Sequence, residues 1–348
     1  MMAPESFDSF ADVRRTVEDL FRVRPGLYWL DFSLCMGMGW GSLYLSLQTP
    51  WHSWLVRLAW TLLSTLSFFR GILFIHEMAH IRTEDLPAFR WAWNAFCGFF
   101  FFLPDYTYIA HTYHHRPATF STREDPEYVS VAYQKPLEIL SPFLVFPMLP
   151  LLMAIRFLIV GPISLLVQGS FRDGLLRYAS TLKMNPRFEW REISDRHRRL
   201  SVWQDLLCFL WWCAFIVVLG RMGGVSIFLQ IYLVMYGVAV VNHVRSLASH
   251  RYENAAGERL SFEAQILDSI TITDFSPLAV LFMPIGLRYH SVHHMFPSLP
   301  YHSLRRAHER LIGSLPEDHV YRKTLFPSFS AALSHLFQRV ISHRISSN

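Results

Sequence analysis

Long apolar stretches separated by polar segments run through most of the chain, and this pattern predicts helices in a membrane. Stretches of about membrane length occupy residues 27–48, 54–75, 203–220 and 225–241. At about 1.5 Å of rise per residue, a helix of roughly 20 residues crosses the hydrocarbon core of a bilayer. Only a few residues separate the last two stretches, so they are predicted to form a hairpin that returns the chain to the side it left.

Shorter or amphipathic stretches make up the rest of the chain. Residues 92–104 are apolar but too short to cross, so we predict a re-entrant or interfacial piece there. The pattern predicts a surface amphipathic segment over residues 1–26 and an interfacial helix over residues 266–287. Residues 303–348 alternate basic and apolar groups, which is typical of helices that lie on the headgroups, and we predict C-terminal interfacial helices over residues 311–348.

The whole pattern predicts one all-α integral membrane domain over residues 1–348, with its core in residues 27–310. We expect about four spanning helices, several interfacial helices and a cytosolic cap rich in histidine. The composition agrees with this expectation, because 52% of the residues are hydrophobic, 16% are aromatic and the mean hydropathy is +0.22. Such values are typical of membrane proteins rather than of ordinary soluble domains.

The charge balance is basic, with a net charge of +5 and a pI of about 9.1. Basic residues flank the apolar stretches, a position that suits anionic lipid headgroups or an acidic group on a substrate. We expect no nucleic-acid partner, because the basic groups lie beside membrane segments. All four cysteines lie in apolar stretches, which predicts buried thiols in a reducing compartment.

Histidines form four groups along the chain, and these groups are the strongest chemical signal. Their spacing is His-x-x-x-His, then His-x-x-His-His, then a single histidine, then His-x-x-His-His again. On a helix, residues three and four apart share a face, so the imidazoles within a group can converge on a metal ion. The nine histidines are His76, His80, His111, His114, His115, His250, His290, His293 and His294.

Nine imidazoles exceed the four ligands of a tetrahedral zinc site, so the natural number of metal ions is two. Imidazole suits zinc, copper, iron and nickel, and the ligand type alone does not choose among them. A rival interpretation is that His76, Glu77 and His80 form the HExxH motif of a zinc protease within the membrane, with the glutamate as general base. Such a protease needs one further ligand and leaves six clustered histidines without a role.

The chain resembles the membrane fatty acid desaturase family in the order and spacing of these groups. The matching motifs are His76-Glu-Met-Ala-His80, His111-Thr-Tyr-His-His115 and Tyr289-His-Ser-Val-His-His-Met-Phe-Pro297, and the resemblance spans about residues 50 to 310. It implies that the nine histidines hold two iron ions and that the protein is an oxygen-dependent oxidoreductase. The implied reaction introduces a double bond into a fatty acyl chain.

Related lipid hydroxylases and ketolases remain alternatives, because histidine spacing does not separate these outcomes. The acyl carrier also stays open among coenzyme A, acyl carrier protein and an intact lipid. The sequence contains no fused haem or flavin domain, so we expect electrons from a separate ferredoxin-like or cytochrome-type donor.

Five further side chains are candidates for support of the metal ligands. Glu77, Asp125 and Asp268 could accept hydrogen bonds from ligand imidazoles, as carboxylates commonly do around metals. Asn242 could hold a water on one metal ion, and His243 could serve as an outer polar partner. Helix caps and helix packing are the structural alternatives for these residues.

The distribution of charge and the number of membrane crossings together predict the topology. Residues 169–202 carry eight Arg and Lys against four Asp and Glu, which places this loop in the cytoplasm by the positive-inside rule. For all four histidine groups to meet there, residues 137–168, which several prolines interrupt, must cross the membrane twice or not at all. We favour a broken helix or hairpin on the metal side. Both termini are then cytoplasmic, and short turns near Pro50 and Gly223 lie on the opposite side.

Overall fold

The computed structural model describes residues 10–222, 224–255 and 257–346, and this part of the chain is mainly helical with very little strand. Residues 1–9 of the predicted amphipathic segment and Gly223 of the predicted turn lie outside it. The α-helices are α1 (Phe10–Arg15), α2 (Pro25–Gln48), α3 (Trp54–Ile72), α4 (Phe74–His80), α5 (Pro87–Trp93), α6 (His111–His114), α7 (Pro136–Val145), α8 (Leu149–Ile155), α9 (Gly161–Val167), α10 (Gly169–Ala179), α11 (Asp195–Met222), α12 (Val225–Leu247), α13 (Phe262–Asp268), α14 (Pro277–Phe282), α15 (His290–Met295), α16 (Tyr301–Ser314) and α17 (Phe329–Ser346).

Short irregular turns and one small strand pair connect these helices. The 3-10 turns are Glu18–Phe21, Trp51–Ser53, Thr83–Asp85, Asp105–Tyr108, Val131–Tyr133, Phe146–Met148 and Val320–Thr324. The π-helical turns are Asn94–Gly98 and Arg156–Val160. Strands β1 (Thr271–Ile272) and β2 (Leu325–Phe326) pair in parallel. The predicted all-α class is therefore confirmed.

Among the described residues, four helical segments are long and apolar enough to cross a membrane, which confirms the predicted number. They are Trp51–His80, Pro136–Val167, Asp195–Arg221 and Ser226–Leu247. The set differs from the prediction in one member, because it includes the proline-interrupted segment and not α2. Helix α2 is 24 residues long and covers the predicted stretch 27–48, but glycines, serines and Asp31 lower its hydropathy. Arg70 on α3 satisfies this aspartate through two hydrogen bonds of 2.9 and 2.5 Å.

Helices α2, α3 and α12 pack closely where small residues face large ones. A Cβ atom added to Gly39 would lie 3.1 Å from the Phe68 ring, and one added to Gly237 would lie 2.8 Å from Thr65. Such small residues let membrane helices approach each other closely. This packing fixes the end of α3, from which α4 continues.

The segment from α7 to α9 is broken, as the prolines predict, by a 3-10 turn at Phe146–Met148 and a π-turn at Arg156–Val160. The chain on either side of it is tied to the region of the histidine groups. Ala132 N–H donates to the Tyr252 carbonyl at 3.4 Å, and Leu182 N–H donates to the Thr107 carbonyl at 2.9 Å. These bonds favour a segment with no net crossing of the membrane, which stays our prediction.

The predicted re-entrant piece is a buried turn that follows α5. Its backbone is irregular, with a φ of 55° at Phe102, and protein groups satisfy its polar atoms. The indole of Trp212 on α11 donates to the Phe99 carbonyl at 2.8 Å. Irregular backbone at membrane depth requires this kind of internal partner.

The prediction of a single interfacial helix over residues 266–287 is wrong. The chain instead ends α13 at Asp268, forms β1, and starts α14 at Pro277. A backbone bridge between His250 and Ser269 and the pairing of β1 with β2 hold the extended part. These partners are distant in sequence, so local hydropathy does not reveal them.

The topology predicts which surfaces an impermeant thiol reagent can reach in intact cells. We start from a Cys213→Ser background, because Cys35, Cys97 and Cys208 are buried and only Cys213 is exposed among the cysteines. A cysteine placed at Arg187 should react only after lysis, because residues 169–202 are predicted to be cytoplasmic.

The matched control is a cysteine placed at the exposed His52, which should react in intact cells because it lies in the turn on the opposite side. Labelling of the Arg187→Cys protein in intact cells would contradict the predicted topology. The readout is mass analysis of the purified protein for the attached label.

Candidate metal centre

The nine histidines of the four sequence groups meet at one place and separate there into two clusters. The first cluster is His76, His80, His111, His115 and His293, and the second is His114, His250, His290 and His294. Within each cluster the candidate ligand nitrogens all lie within 4.8 Å of one another. Two clusters match the two metal ions expected from the number of imidazoles.

Short helices place these side chains. His76 and His80 lie one turn apart on α4. Helix α6 and the next residue, His115, carry one His-x-x-His-His group, and α15 carries the other. Successive residues on a helix point about 100° apart, so His114 and His115 reach different clusters although they are neighbours in sequence. His293 and His294 divide in the same way. Helices α6 and α15 therefore hold the two clusters side by side.

The second cluster has the nitrogen spacing of a metal site. The Nε2 atom of His250 lies 3.1 Å from that of His114 and 2.9 Å from that of His290. His290 Nε2 lies 3.2 Å from His294 Nε2. Two nitrogens that bind one cation at about 2.1 Å, with bonds at about 90°, lie about 3.0 Å apart.

The first cluster has the same spacing, together with buried nitrogens that lack protein partners. His115 Nε2 lies 3.0 Å from His111 Nε2 and 3.1 Å from His293 Nε2. Within the described chain, both ring nitrogens of His76 and Nε2 of His80 have no hydrogen-bond partner. Buried polar atoms are rarely left in this state, so these donors fit a bound metal ion.

The environment also keeps these imidazoles in the form that binds metals. Burial, followed by the neighbouring histidines, holds the pKa of His115, His293 and His294 well below its usual range. A neutral imidazole offers a lone pair, whereas a protonated one does not. These three rings therefore present neutral nitrogen ligands at neutral pH, whereas at His114 burial is outweighed by the neighbouring Asp125 carboxylate, which raises the pKa above its usual value.

Three carboxylates orient the ligand rings from outside. Nδ1 of His111 donates to Glu127 at 2.7 Å, Nδ1 of His114 donates to Asp125 at 2.9 Å, and Nδ1 of His250 donates to Asp268 at 3.1 Å. In each ring this bond leaves Nε2 free to face its cluster. Such carboxylates fix the tautomer and raise the basicity of a metal ligand.

The carboxylates are themselves held in place. The backbone N–H groups of Ser121 and Glu127 each donate to Asp125 at 2.8 Å. The Tyr128 hydroxyl donates to Asp268 at 3.0 Å. The structure thus places Asp125 and Asp268 beside the histidines, where the sequence analysis considered them.

Glu127 is a site residue that the sequence analysis missed. Burial opposes its ionisation, but the imidazole of His111 and other neighbours lower the pKa of Glu127 to about 2. The Tyr108 hydroxyl donates to its second oxygen at 3.1 Å. Its position two residues after Asp125, in the loop that follows a histidine group, is a signal that could have revealed it.

Glu77 does not bond to a histidine, contrary to the role considered for it. Its carboxylate accepts hydrogen bonds from the Tyr28 hydroxyl at 2.7 Å and from the Tyr301 N–H at 3.0 Å. The reason is the helical turn from His76 to the next residue, which directs Glu77 toward α2 and α16. This buried and occupied carboxylate also does not suit the general base of an HExxH protease.

Asn242 and His243 belong to neither cluster. Asn242 accepts a hydrogen bond from Arg245, and the His243 ring packs against Phe143 and Phe146 at centroid distances of 5.3 and 5.2 Å. Both residues line a cavity of about 290 Å³ that also contacts histidines of both clusters. Much of its wall is apolar, including Leu73, Phe101, Leu149, Met153 and Val238. A cavity of this kind suits an alkyl chain.

The sequence model of the fatty acid desaturase family matches residues 52–326, a range that contains all nine clustered histidines. The chain belongs to the fatty acid desaturase family. This membership confirms the resemblance found in the histidine motifs and identifies the protein as an oxidoreductase. A relative named ceramide hydroxylase, from Caulobacter vibrioides (strain NA1000 / CB15N), is 36% identical over 330 residues, which cover 93% of this chain and 91% of the relative. No solved structure matches this desaturase-family chain.

The hydrogen bonds of the site predict opposite results for two similar substitutions. Asp125→Asn should lower metal affinity about 10- to 100-fold, the usual scale for a partner of a ligand histidine, because it removes the negative charge next to His114. Glu77→Gln is the matched control and should keep its metal, because the Glu77 carboxylate bonds to Tyr28 and Tyr301 and not to a clustered histidine.

Elemental analysis of the purified proteins, after dialysis against a graded series of chelator concentrations, measures this difference. Equal metal retention in both variants, or loss only in Glu77→Gln, would contradict the assignment of the carboxylates.

Proposed function

We propose that this protein is a membrane-bound, oxygen-dependent lipid hydroxylase that holds two iron ions in its histidine clusters. We propose a ceramide-class lipid as the substrate. The observation that carries the proposal is the apolar cavity that ends on two clusters made only of histidine. The similarity to a ceramide hydroxylase along nearly the whole of both chains favours hydroxylation over desaturation.

Iron ions bound at the clusters would supply, together with O2, an oxidant strong enough to remove a hydrogen atom from an unactivated carbon, which no side chain can do. The nine histidines would ligate the metal, in groups of five and four. Asp125, Glu127 and Asp268 hold three of the imidazoles in one tautomer. The apolar cavity wall positions the alkyl chain and keeps water away from the reacting carbon.

The overall reaction balances with a separate electron donor. Hydroxylation of a C–H bond consumes one O2, two electrons and two protons and releases one water. Because we assign no haem or flavin to this chain, we propose that a ferredoxin-like or cytochrome-type protein supplies the electrons at the cytoplasmic face.

Desaturation is the second candidate, and membership of the family favours it. It consumes the same O2, electrons and protons but removes two hydrogens from neighbouring carbons and releases two waters. The two reactions therefore differ in the step after the first hydrogen is removed, which is either transfer of oxygen to the carbon or loss of a second hydrogen.

Lipid analysis of cells that express the protein distinguishes these reactions. We expect ceramides that have gained one oxygen atom, labelled when the cells are supplied with 18O2. The variant His294→Ala should abolish the product and reduce bound iron, because it removes one ligand of the second cluster. His52→Ala is the matched control, since His52 is exposed and lies outside both clusters, and it should retain full activity.

Ceramides that have lost two hydrogens, with no added oxygen, would identify a desaturase instead. An active His294→Ala protein with its full iron content would contradict the role of the clusters. Activity that survives iron removal and depends on zinc would contradict the choice of metal.

A further inference from the structure

Arg245 differs from the other buried arginines in the described chain because its side chain donates to only one protein group. Arg57, Arg156, Arg172, Arg245 and Arg288 are all at least nine-tenths buried. Arg156 and Arg172 share Asp205, and each also donates to at least one serine hydroxyl. Arg57 donates to Gln230 and to the Thr49 carbonyl. Arg288 donates to two backbone carbonyls and to the Tyr289 hydroxyl.

Arg245 has a single side-chain hydrogen bond to a protein group, from a terminal nitrogen to Oδ1 of Asn242 at 3.1 Å. Its Nε has no partner, as is also true of Arg172 and Arg288, and no carboxylate of the described residues forms an ion pair with Arg245. A guanidinium carries five N–H donors and no acceptor. The group that completes its environment must therefore be an acceptor, and the described protein does not provide it.

The position of Arg245 indicates where that acceptor comes from. Arg245 and Asn242 lie one turn apart near the end of α12, and both line the cavity that contacts the histidine clusters. Ser246 and Ser249 extend this polar side of the wall. The cavity thus has a polar side, an apolar side and the histidines, which matches a lipid with a polar junction and an alkyl chain.

The missing ionic partner of Arg245 has an electrostatic cost. A buried charge without a partner is costly, and native structures normally pair it or hydrogen-bond it fully. The charge of Arg245 acts on the hydroxyls of Tyr108 and Tyr252, which surround the same cavity. An oxygen atom of a bound substrate would remove this cost, whereas an alkyl chain would not.

We propose that Arg245, oriented by Asn242, binds the oxygen atoms at the polar junction of the substrate, namely the amide carbonyl or a hydroxyl of a ceramide-class lipid. This inference rests on the proposed function and extends it to the position of the reaction. The cavity of about 290 Å³ is at the small end of the range of ligand pockets. Because one small cavity contacts both Arg245 and the histidines, the reacting carbon lies close to the polar junction rather than far along the chain.

Replacement of Arg245 tests the contact directly. Arg245→Met should raise KM for ceramide about 10- to 100-fold, the scale expected for loss of a hydrogen bond to a charged group. It should also spread the new hydroxyl over several carbons, which fragmentation of the product in a mass spectrometer reports. Arg245→Lys keeps the charge but not the planar pair of donors, so it should restore KM only in part. Iron content should stay unchanged in both variants.

A second substitution separates substrate binding from a merely structural role. Asn242→Asp places a carboxylate beside the guanidinium, so the protein itself satisfies Arg245 and competes with the substrate. We expect a raised Tm and a raised KM with unchanged iron. If Arg245 only supported the fold, the same change would raise Tm and leave KM unaltered.

The matched control is Gln230→Glu. It makes the same amide-to-acid change beside another buried arginine, because Gln230 Oε1 accepts from Arg57 Nε at 3.2 Å. Neither Gln230 nor Arg57 lines the cavity. This variant should leave KM and the position of the hydroxyl unchanged.

Ligand binding measured without turnover separates this inference from the proposed function. Short-chain ceramide should raise the Tm of the detergent-solubilised wild-type protein and not that of Arg245→Met. If it does so while the wild-type protein produces no oxidised lipid, the inference stands and the proposed function fails.

Turnover of ceramide with the same KM and product position in Arg245→Met would overturn the inference alone. A second contrary result is that a free fatty acid or a ceramide phosphate raises Tm in a way that depends on Arg245, while ceramide does not. That result would overturn the neutral polar junction as the ligand of Arg245 and indicate an anionic group. A wild-type protein that binds none of these lipids would overturn both proposals.

Discussion

The fold depends on one constraint, which is that nine imidazoles must be buried or half-buried while their nitrogens remain available. Burial favours the neutral form of an imidazole, but it also removes water as a partner for the ring nitrogens. On one side of three rings, the carboxylates of Asp125, Glu127 and Asp268 accept hydrogen bonds from Nδ1. On the other side, nitrogens of neighbouring rings face each other at about 3 Å, a spacing that a shared cation makes favourable.

Helix geometry explains how four short groups in the sequence can serve two clusters. A His-x-x-His-His group on one turn presents two directions, so α6 and α15 each contribute to both clusters. The membrane helices serve mainly to bring these turns together. α3 continues into α4, and α12 ends three residues before His250. The rigid apolar bundle therefore sets the positions, and the cap supplies the ligands.

Much of this arrangement could be predicted from local pattern. The nine histidines, the helical class and the number of candidate spanning segments follow from spacing and hydropathy, which are local properties. The orientation of Glu77 could not be predicted, because it depends on Tyr28 and Tyr301 from distant parts of the chain. The strand pairing that replaces the helix predicted over residues 266–287 is also a contact between distant segments. The assignment of each histidine to one of two clusters likewise required the relative placement of α4, α6 and α15.

The link from Glu77 to Tyr28 and Tyr301 has a consequence for biosynthesis. His76 and Glu77 are translated early. More than two hundred residues later come His293 of the first cluster, His290 and His294 of the second cluster, and Tyr301, whose N–H donates to Glu77. Neither cluster has its full set of ligands until this last part of the chain has left the ribosome. Metal acquisition is therefore a late event in maturation, and a nascent chain that stalls before residue 290 would expose half-built histidine clusters to whichever cation is most abundant.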